Sequence, residues 1–198
     1  HKDFCRYIVD GEVMVKSHKE FYDDCLAVCR YIRSNNPESI HIAFIGKTSY
    51  EYIACLTGMI FSGNTVIPFS PDITVEEAAL LFDDADIEML FCEDDFIEKA
   101  KEIKEVYGNL KQIISLGDRN WFNDIFDKFN SESEFSFLSD VDEDPEKCSL
   151  IIYTSGTTGK RKGVMLSNGN LAANSSYDAY NMNEDDVSFS VLPMHHVF

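Results

Sequence analysis

The strongest constraint on the fold is an alternation of short apolar runs with segments of helical periodicity through the first two thirds of the chain. The runs are apolar at consecutive positions, which is typical of strands buried on both faces of a parallel sheet. Predicted strands cover residues 40–45, 65–69, 87–92 and 112–116, and predicted helices cover residues 49–62, 74–83, 95–107 and 120–129. We therefore expect an α/β fold, a mostly parallel sheet flanked by helices on both faces and joined by right-handed crossovers.

Turn and capping signals add detail to this array. Asp10-Gly11 lies between two short apolar runs and predicts a small N-terminal β-hairpin. Ser17 with Glu20 predicts a capping box at the start of the first helix, and Thr74 with Glu77 predicts a second one.

An acidic connection at residues 130–147 separates the array from the rest of the chain. Beyond it we predict strands at 150–153, 164–166 and 187–192, with a helix from Ser167 to about residue 180. We accordingly divide the chain into residues 1–147, an α/β array of an N-terminal subdomain, and residues 148–198, a strand–loop–strand–helix–strand segment of the same domain.

Charge narrows the choice of partners. The chain of 198 residues has 35 acidic and 17 basic side chains, a net charge of −18. Such a charge repels phosphate backbones and anionic lipids, so we expect no nucleic-acid partner.

No apolar run approaches the roughly 20 residues that a membrane helix needs, so no transmembrane segment is predicted. The six cysteines include no C-x-x-C pair, and we interpret them as buried thiols of a cytoplasmic protein.

The segment at residues 153–163 has the composition of an anion-binding loop. Three glycines permit a close backbone approach, so that consecutive N–H groups can converge on an anion. Four hydroxyl side chains and three cations add donors and positive charge in an otherwise acidic chain. Because a predicted strand delivers this loop to the carboxyl edge of the sheet, where open α/β folds bind ligands, we expect it to cradle a polyphosphate. The alternative is a flexible connector with incidental lysines.

The loop is not a Walker A motif. That motif has four residues between its two glycines and then Gly-Lys-Ser/Thr, whereas only two residues separate Gly156 from Gly159. The residue after Gly163 is Val164, in an apolar segment that predicts a strand rather than a helix. These differences argue against a P-loop kinase or GTPase.

Thr-Ser-Gly-Thr-Thr-Gly at 154–159, followed by Lys162-Gly163-Val164, resembles the phosphate-loop signature of the adenylate-forming (AMP-binding) superfamily. That superfamily contains acyl-CoA synthetases, peptide-synthetase adenylation domains and luciferases. Residues 164–171, residues 50–68 and the terminal Leu-Pro-Met-His-His at 192–196 resemble further segments of these enzymes. Arg161 stands where the family usually has proline, which predicts a more mobile and more basic loop, and Asn168 stands where histidine is common.

The resemblance implies two half-reactions. A carboxylate attacks the α-phosphate of Mg-ATP, which releases pyrophosphate and leaves an acyl-adenylate, and a thiol then displaces AMP. The implied cofactors are ATP, Mg²⁺ and coenzyme A. The implied nucleotide-binding residues are Thr154, Ser155, Gly156, Thr157, Thr158, Gly159 and Lys162. His196 is the implied catalytic residue that orients the carboxylate, and His195 takes the place of an aromatic residue. Mg²⁺ is expected on ATP, with no metal ligand identifiable in this stretch.

In family order, the contacts to adenine and ribose and a mobile catalytic lysine come after residue 198. We therefore expect this chain to be an incomplete N-terminal portion that is inactive by itself. The histidine pair favours a fatty acid as the small-molecule carboxylic acid substrate and coenzyme A as the acceptor. Two alternatives stay open: an adenylation domain that loads an amino or aryl acid onto a carrier-protein thiol, and a non-catalytic truncated nucleotide-binding domain.

Overall fold

One six-stranded sheet organises most of the chain in the computed structural model, which describes residues 3–36, 38–116, 125, 128, 144–154, 161–175, 186–188, 193 and 195. The strands are β1 (Asp3–Val9), β2 (Glu12–Ser17), β3 (His41–Ile45), β4 (Thr65–Phe69), β5 (Ile87–Cys92), β6 (Gln112–Ser115), β7 (Cys148–Thr154) and β8 (Lys162–Ser167). The helices are α1 (His18–Asn35), α2 (Tyr50–Phe61), α3 (Val75–Asp84), α4 (Ile97–Tyr107) and α5 (Asn168–Ser175).

The large sheet has the strand order β6-β5-β3-β4-β7-β8, while β1 and β2 form a separate antiparallel hairpin. All neighbours in the large sheet are parallel except β7 and β8. The prediction of a mostly parallel α/β sheet with a small N-terminal hairpin is therefore confirmed.

Each central strand is buried on both faces. Ile42 and Phe44 of β3 pack in one core with α1 and α2, while Ala43 and Ile45 pack in the opposite core with α3 and α4. Successive side chains of a strand point to opposite faces, so a strand covered on both sides must be apolar at every position. This is the physical origin of the continuous apolar runs in the sequence.

The predicted hairpin turn and helix N-caps are present, except for one half of the second capping box. Asp10 and Gly11 both have positive φ, 52° and 84°, as a tight hairpin turn requires. Ser17 and Glu20 make a complete capping box at the start of α1. At α3, the Thr74 side chain accepts from the Glu77 backbone N–H at 3.2 Å. The Glu77 carboxylate contacts Arg161 instead of returning to the cap, so the second half of the predicted box is wrong.

Several predictions fall on residues that the structure does not describe. The helix at 120–129, the acidic connection at 130–147 and the strand at 187–192 lie wholly or mostly outside the described residues. The division between residues 1–147 and 148–198 stays a prediction, although β4 pairs with β7 across it.

All six cysteines are free, and Cys25, Cys29, Cys55 and Cys92 are buried. None of the described helices combines the length and the hydropathy that a membrane crossing requires.

Gly58 sets the distance between α1 and α2. An alanine Cβ at this position would lie 2.6 Å from the Cys25 carbonyl oxygen and 2.6 Å from Val28 Cβ. Both contacts are closer than real Cβ atoms come, and the backbone oxygen cannot rotate away. The two helices can therefore approach closely only because residue 58 has no side chain.

We predict that Gly58→Ala lowers the free energy of unfolding by about 1–3 kcal/mol, because α2 must move away from α1. Gly108→Ala is the matched control, since its Cβ meets nothing within 4 Å and only its φ of 77° is strained. Urea unfolding of both variants measures the difference. A Gly58→Ala protein that is as stable as the unmodified protein, or less affected than Gly108→Ala, would contradict this packing.

Candidate functional site

The hairpin of β7 and β8 opens at the carboxyl edge of the sheet. β7 is parallel to β4, so Thr154 at the end of β7 lies at the same edge as Phe69 at the end of β4. The β7–β8 register ends with Thr154 opposite Lys162, and residues 155–161 connect the two strands. This is the edge at which open α/β sheets bind their ligands.

The structure describes two of the residues predicted to bind nucleotide. Thr154 and Lys162 are both exposed, and Thr154 Oγ1 donates to the Lys162 carbonyl oxygen at 3.5 Å. The Lys162 ammonium makes no ion pair with the described part of the chain. Ser155, Gly156, Thr157, Thr158 and Gly159 lie outside the described residues, and so does His196.

A cleft of about 120 Å³ lies beside the hairpin, between the end of β4 and the first turn of α3. Its walls include Phe69, Tyr153, Glu77, Arg161 and His195. His195, which was predicted to take the place of an aromatic residue, is half-buried there. The cleft therefore brings together Tyr153 near the end of β7, Arg161 just before β8, and His195.

Tyr153 ties β7 to α3. Its ring is stacked on Phe69 with centroids 5.9 Å apart, and its hydroxyl donates to Asp84 Oδ2 at 2.5 Å. Burial raises the pKa of Tyr153, so the hydroxyl stays protonated and keeps its role as a donor. On the facing strand, Gly163 pairs with Tyr153, and a Cβ there would lie 3.0 Å from Ile151 Cγ2. The glycine therefore keeps the strands closely packed beneath the loop.

Arg161 ties the β8 side of the hairpin to the same helix. Its Nε donates to Glu77 Oε1 in the first turn of α3, and the two side chains are 41% and 35% exposed. The extra positive charge predicted from Arg161 is thus offset by Glu77.

Sequence reasoning missed Glu77 and Asp84 as parts of this region. The available signal was their spacing: seven residues apart, they lie on one face of α3. The replacement of the usual proline by Arg161 was a second signal, because an added cation in an acidic chain needs a partner.

A second polar cluster closes the ends of β3 and β5. Glu93 Oε2 accepts from the Lys47 backbone N–H at 3.1 Å, and Lys47 Nζ lies 2.6 Å from Asp95 Oδ2. Burial raises the pKa of Glu93. These contacts hold the segment between β3 and α2 against the residues that follow β5.

Among the described residues, no group of three or more His, Cys, Asp or Glu side chains could hold a metal ion.

The model of a protein family described as AMP-binding enzyme matches residues 5–198. The chain belongs to this family of AMP-binding enzymes. It is 31% identical over 166 residues to a malonate–CoA ligase of Arabidopsis thaliana, a match covering 79% of this chain and 26% of that protein. It is also 28% identical to long chain acyl-CoA synthetase 2 of Arabidopsis thaliana, over 92% of this chain and 30% of that protein.

The fold is also similar to that of solved structures. The crystal structure of ATP-bound MatB from Rhodopseudomonas palustris is similar with a TM-score of 0.77 and 23% identity, over 92% of this chain and 36% of that chain. This chain spans about a quarter to a third of the length of the curated relatives it matches.

We predict that Tyr153→Phe lowers the free energy of unfolding by about 0.5–1.5 kcal/mol, because it removes the bond to Asp84 and keeps the ring. Tyr52→Phe is the matched control. The Tyr52 hydroxyl is buried without a hydrogen-bond partner in the described structure, so its removal should be neutral or stabilising. Urea unfolding of both variants checks the contrast. Equal effects at the two tyrosines would refute the assigned bond.

Proposed function

We propose that the full-length protein is an AMP-forming acid–thiol ligase that activates a carboxylic acid as an acyl-adenylate and transfers the acyl group to coenzyme A. The observation that carries this proposal is the β7–β8 hairpin. Its strands meet at Thr154 and Lys162 at the carboxyl edge of a parallel sheet, and the sequence that joins them is rich in Gly, Ser, Thr and Lys, in a chain of the AMP-binding family.

The hairpin's part in this reaction is to hold the β- and γ-phosphates of ATP and offset the charge that develops on pyrophosphate. Lys162 supplies the charge, while the hydroxyls of Thr154, Ser155, Thr157 and Thr158 supply donors. Gly156 and Gly159 let the backbone approach the phosphates. The exposure of Thr154 and Lys162 at the two ends of the loop supports this assignment. Mg²⁺ arrives on ATP and neutralises part of the phosphate charge when bound.

The substrate we favour is a fatty acid, with His196 orienting its carboxylate. The support is the His195-His196 pair and the place of His195 in the cleft wall. The names of the relatives include a malonate ligase and a long-chain acyl-CoA synthetase, so they support an acid as substrate without choosing its size. We place the enzyme in the cytoplasm, in keeping with its six free cysteines.

Pyrophosphate exchange by the full-length protein tests the first half-reaction. We expect incorporation of labelled pyrophosphate into ATP that depends on fatty acids in a panel that also contains aryl acids, amino acids and malonate. Exchange with an aryl or amino acid alone would favour the alternative of an adenylation domain serving a carrier-protein thiol. Absence of exchange with every acid would instead leave a nucleotide-binding protein without this activity.

We predict that Lys162→Ala lowers kcat/KM for ATP roughly 10- to 100-fold, because a charge aligned with the leaving pyrophosphate is lost. Lys101→Ala is the control, since Lys101 is also exposed but lies on α4 in a pair with Glu98. Initial rates of exchange at varied ATP measure both variants. If Lys162→Ala turned over like Lys101→Ala, the role given to Lys162 would be wrong.

A further inference from the structure

The geometry points to Arg161 as a positioning residue for ATP: its ion pair with Glu77 holds the β8 end of the β7–β8 hairpin against α3. This inference rests on the proposed function, because the positioned ligand is the nucleotide of that reaction. It concerns a residue at which the chain departs from the family's usual proline.

The contact is anchored firmly on the helix side. Glu77 lies in the first turn of α3, and its backbone N–H is held by the Thr74 side chain at 3.2 Å. Its carboxylate meets Arg161 Nε across 84 positions of sequence. The anchor is therefore a capped helix of the main sheet rather than another loop.

On the hairpin side, Arg161 directly precedes Lys162, the residue proposed to supply positive charge to the phosphates. Lys162 follows it in the chain and is fixed by the β register opposite Thr154. A peptide unit transmits displacement, since consecutive Cα atoms stay about 3.8 Å apart. Any shift of Arg161 away from α3 therefore shifts the start of β8 and the backbone that carries the Lys162 ammonium.

A second bond ties the other strand to the same helix face. Tyr153 of β7 donates to Asp84 at 2.5 Å, and Asp84 lies seven residues after Glu77 on α3. Tyr153 itself pairs with Gly163, two residues beyond Arg161. Both sides of the hairpin are thus bonded to one helix, and Arg161 is the last residue of the connection between the two strands.

Charge gives the pair a second effect on ATP. Glu77 lines the cleft beside the hairpin, in a chain of net charge −18. Without Arg161, the Glu77 carboxylate would face the incoming polyphosphate uncompensated. The double variant Arg161→Ala/Glu77→Gln removes the charges of both partners. Loss of the arginine should therefore weaken ATP binding, and loss of Glu77 as well should make it no weaker.

The test measures pyrophosphate exchange and calorimetric ATP binding in the full-length protein carrying Arg161→Ala, Glu77→Gln, both changes, or Arg161→Lys. We expect Arg161→Ala to raise KM and Kd for ATP about two- to fivefold, the range for a partly exposed ion pair. KM for the acid should not change, the double variant should be no worse than Arg161→Ala, and Arg161→Lys should retain most of the affinity.

Asp23→Asn is the matched control. Asp23 pairs with Lys19 on α1 and has the same 35% side-chain exposure as Glu77, so its loss should leave KM for ATP unchanged.

Unchanged ATP constants in Arg161→Ala, an equal rise in KM for ATP and for the acid, or additive effects in the double variant would each overturn the positioning role. If the unmodified protein bound ATP but exchanged pyrophosphate with no acid, the proposed function would fail while the Kd series still decided the role of Arg161. Failure of the unmodified protein to bind ATP would overturn both.

Discussion

The parallel pairing of β7 with β4 is the contact on which the site depends. Val66 and Leu150 are partners in this pair, and the Thr65 hydroxyl donates to the Cys148 carbonyl oxygen at 3.0 Å. The direction of β7 decides which edge of the sheet receives the loop that follows it. Because β7 is parallel to β4, Thr154 lies at the same edge of the sheet as Phe69, and the antiparallel return through β8 brings Lys162 opposite Thr154.

The sequence predicted the elements well where one local rule governs them. Strands β3, β4 and β5 are buried on both faces, so their apolar runs are continuous, and the caps of α1 and α3 need only residues a turn apart. Glu77 shows where such rules end. Its position three residues after Thr74 favours a reciprocal capping bond, but an arginine 84 residues later competes for the carboxylate. That partner is set by tertiary structure, which periodicity does not encode.

Positive charge is concentrated in one short segment of an otherwise acidic chain. The chain has a net charge of −18, yet Lys160, Arg161 and Lys162 follow one another in its sequence. Of the two that the structure describes, Arg161 is paired with an acid, Glu77. Glu77 and Asp84 bond the hairpin to α3, while the Lys162 side chain is exposed. The composition of the loop was enough to predict an anion site, because glycine and hydroxyl content are local properties of the sequence. The contacts that hold the hairpin depend on α3, which is distant in sequence.

The most direct measurement is a crystal structure of the full-length protein with a non-hydrolysable ATP analogue. The predicted result has the triphosphate at the open end of the β7–β8 hairpin, with Lys162 Nζ and Thr154 Oγ1 within hydrogen-bond distance of phosphate oxygens. A nucleotide bound elsewhere, with Lys162 directed into bulk solvent, would contradict the assignment of this hairpin as the phosphate site.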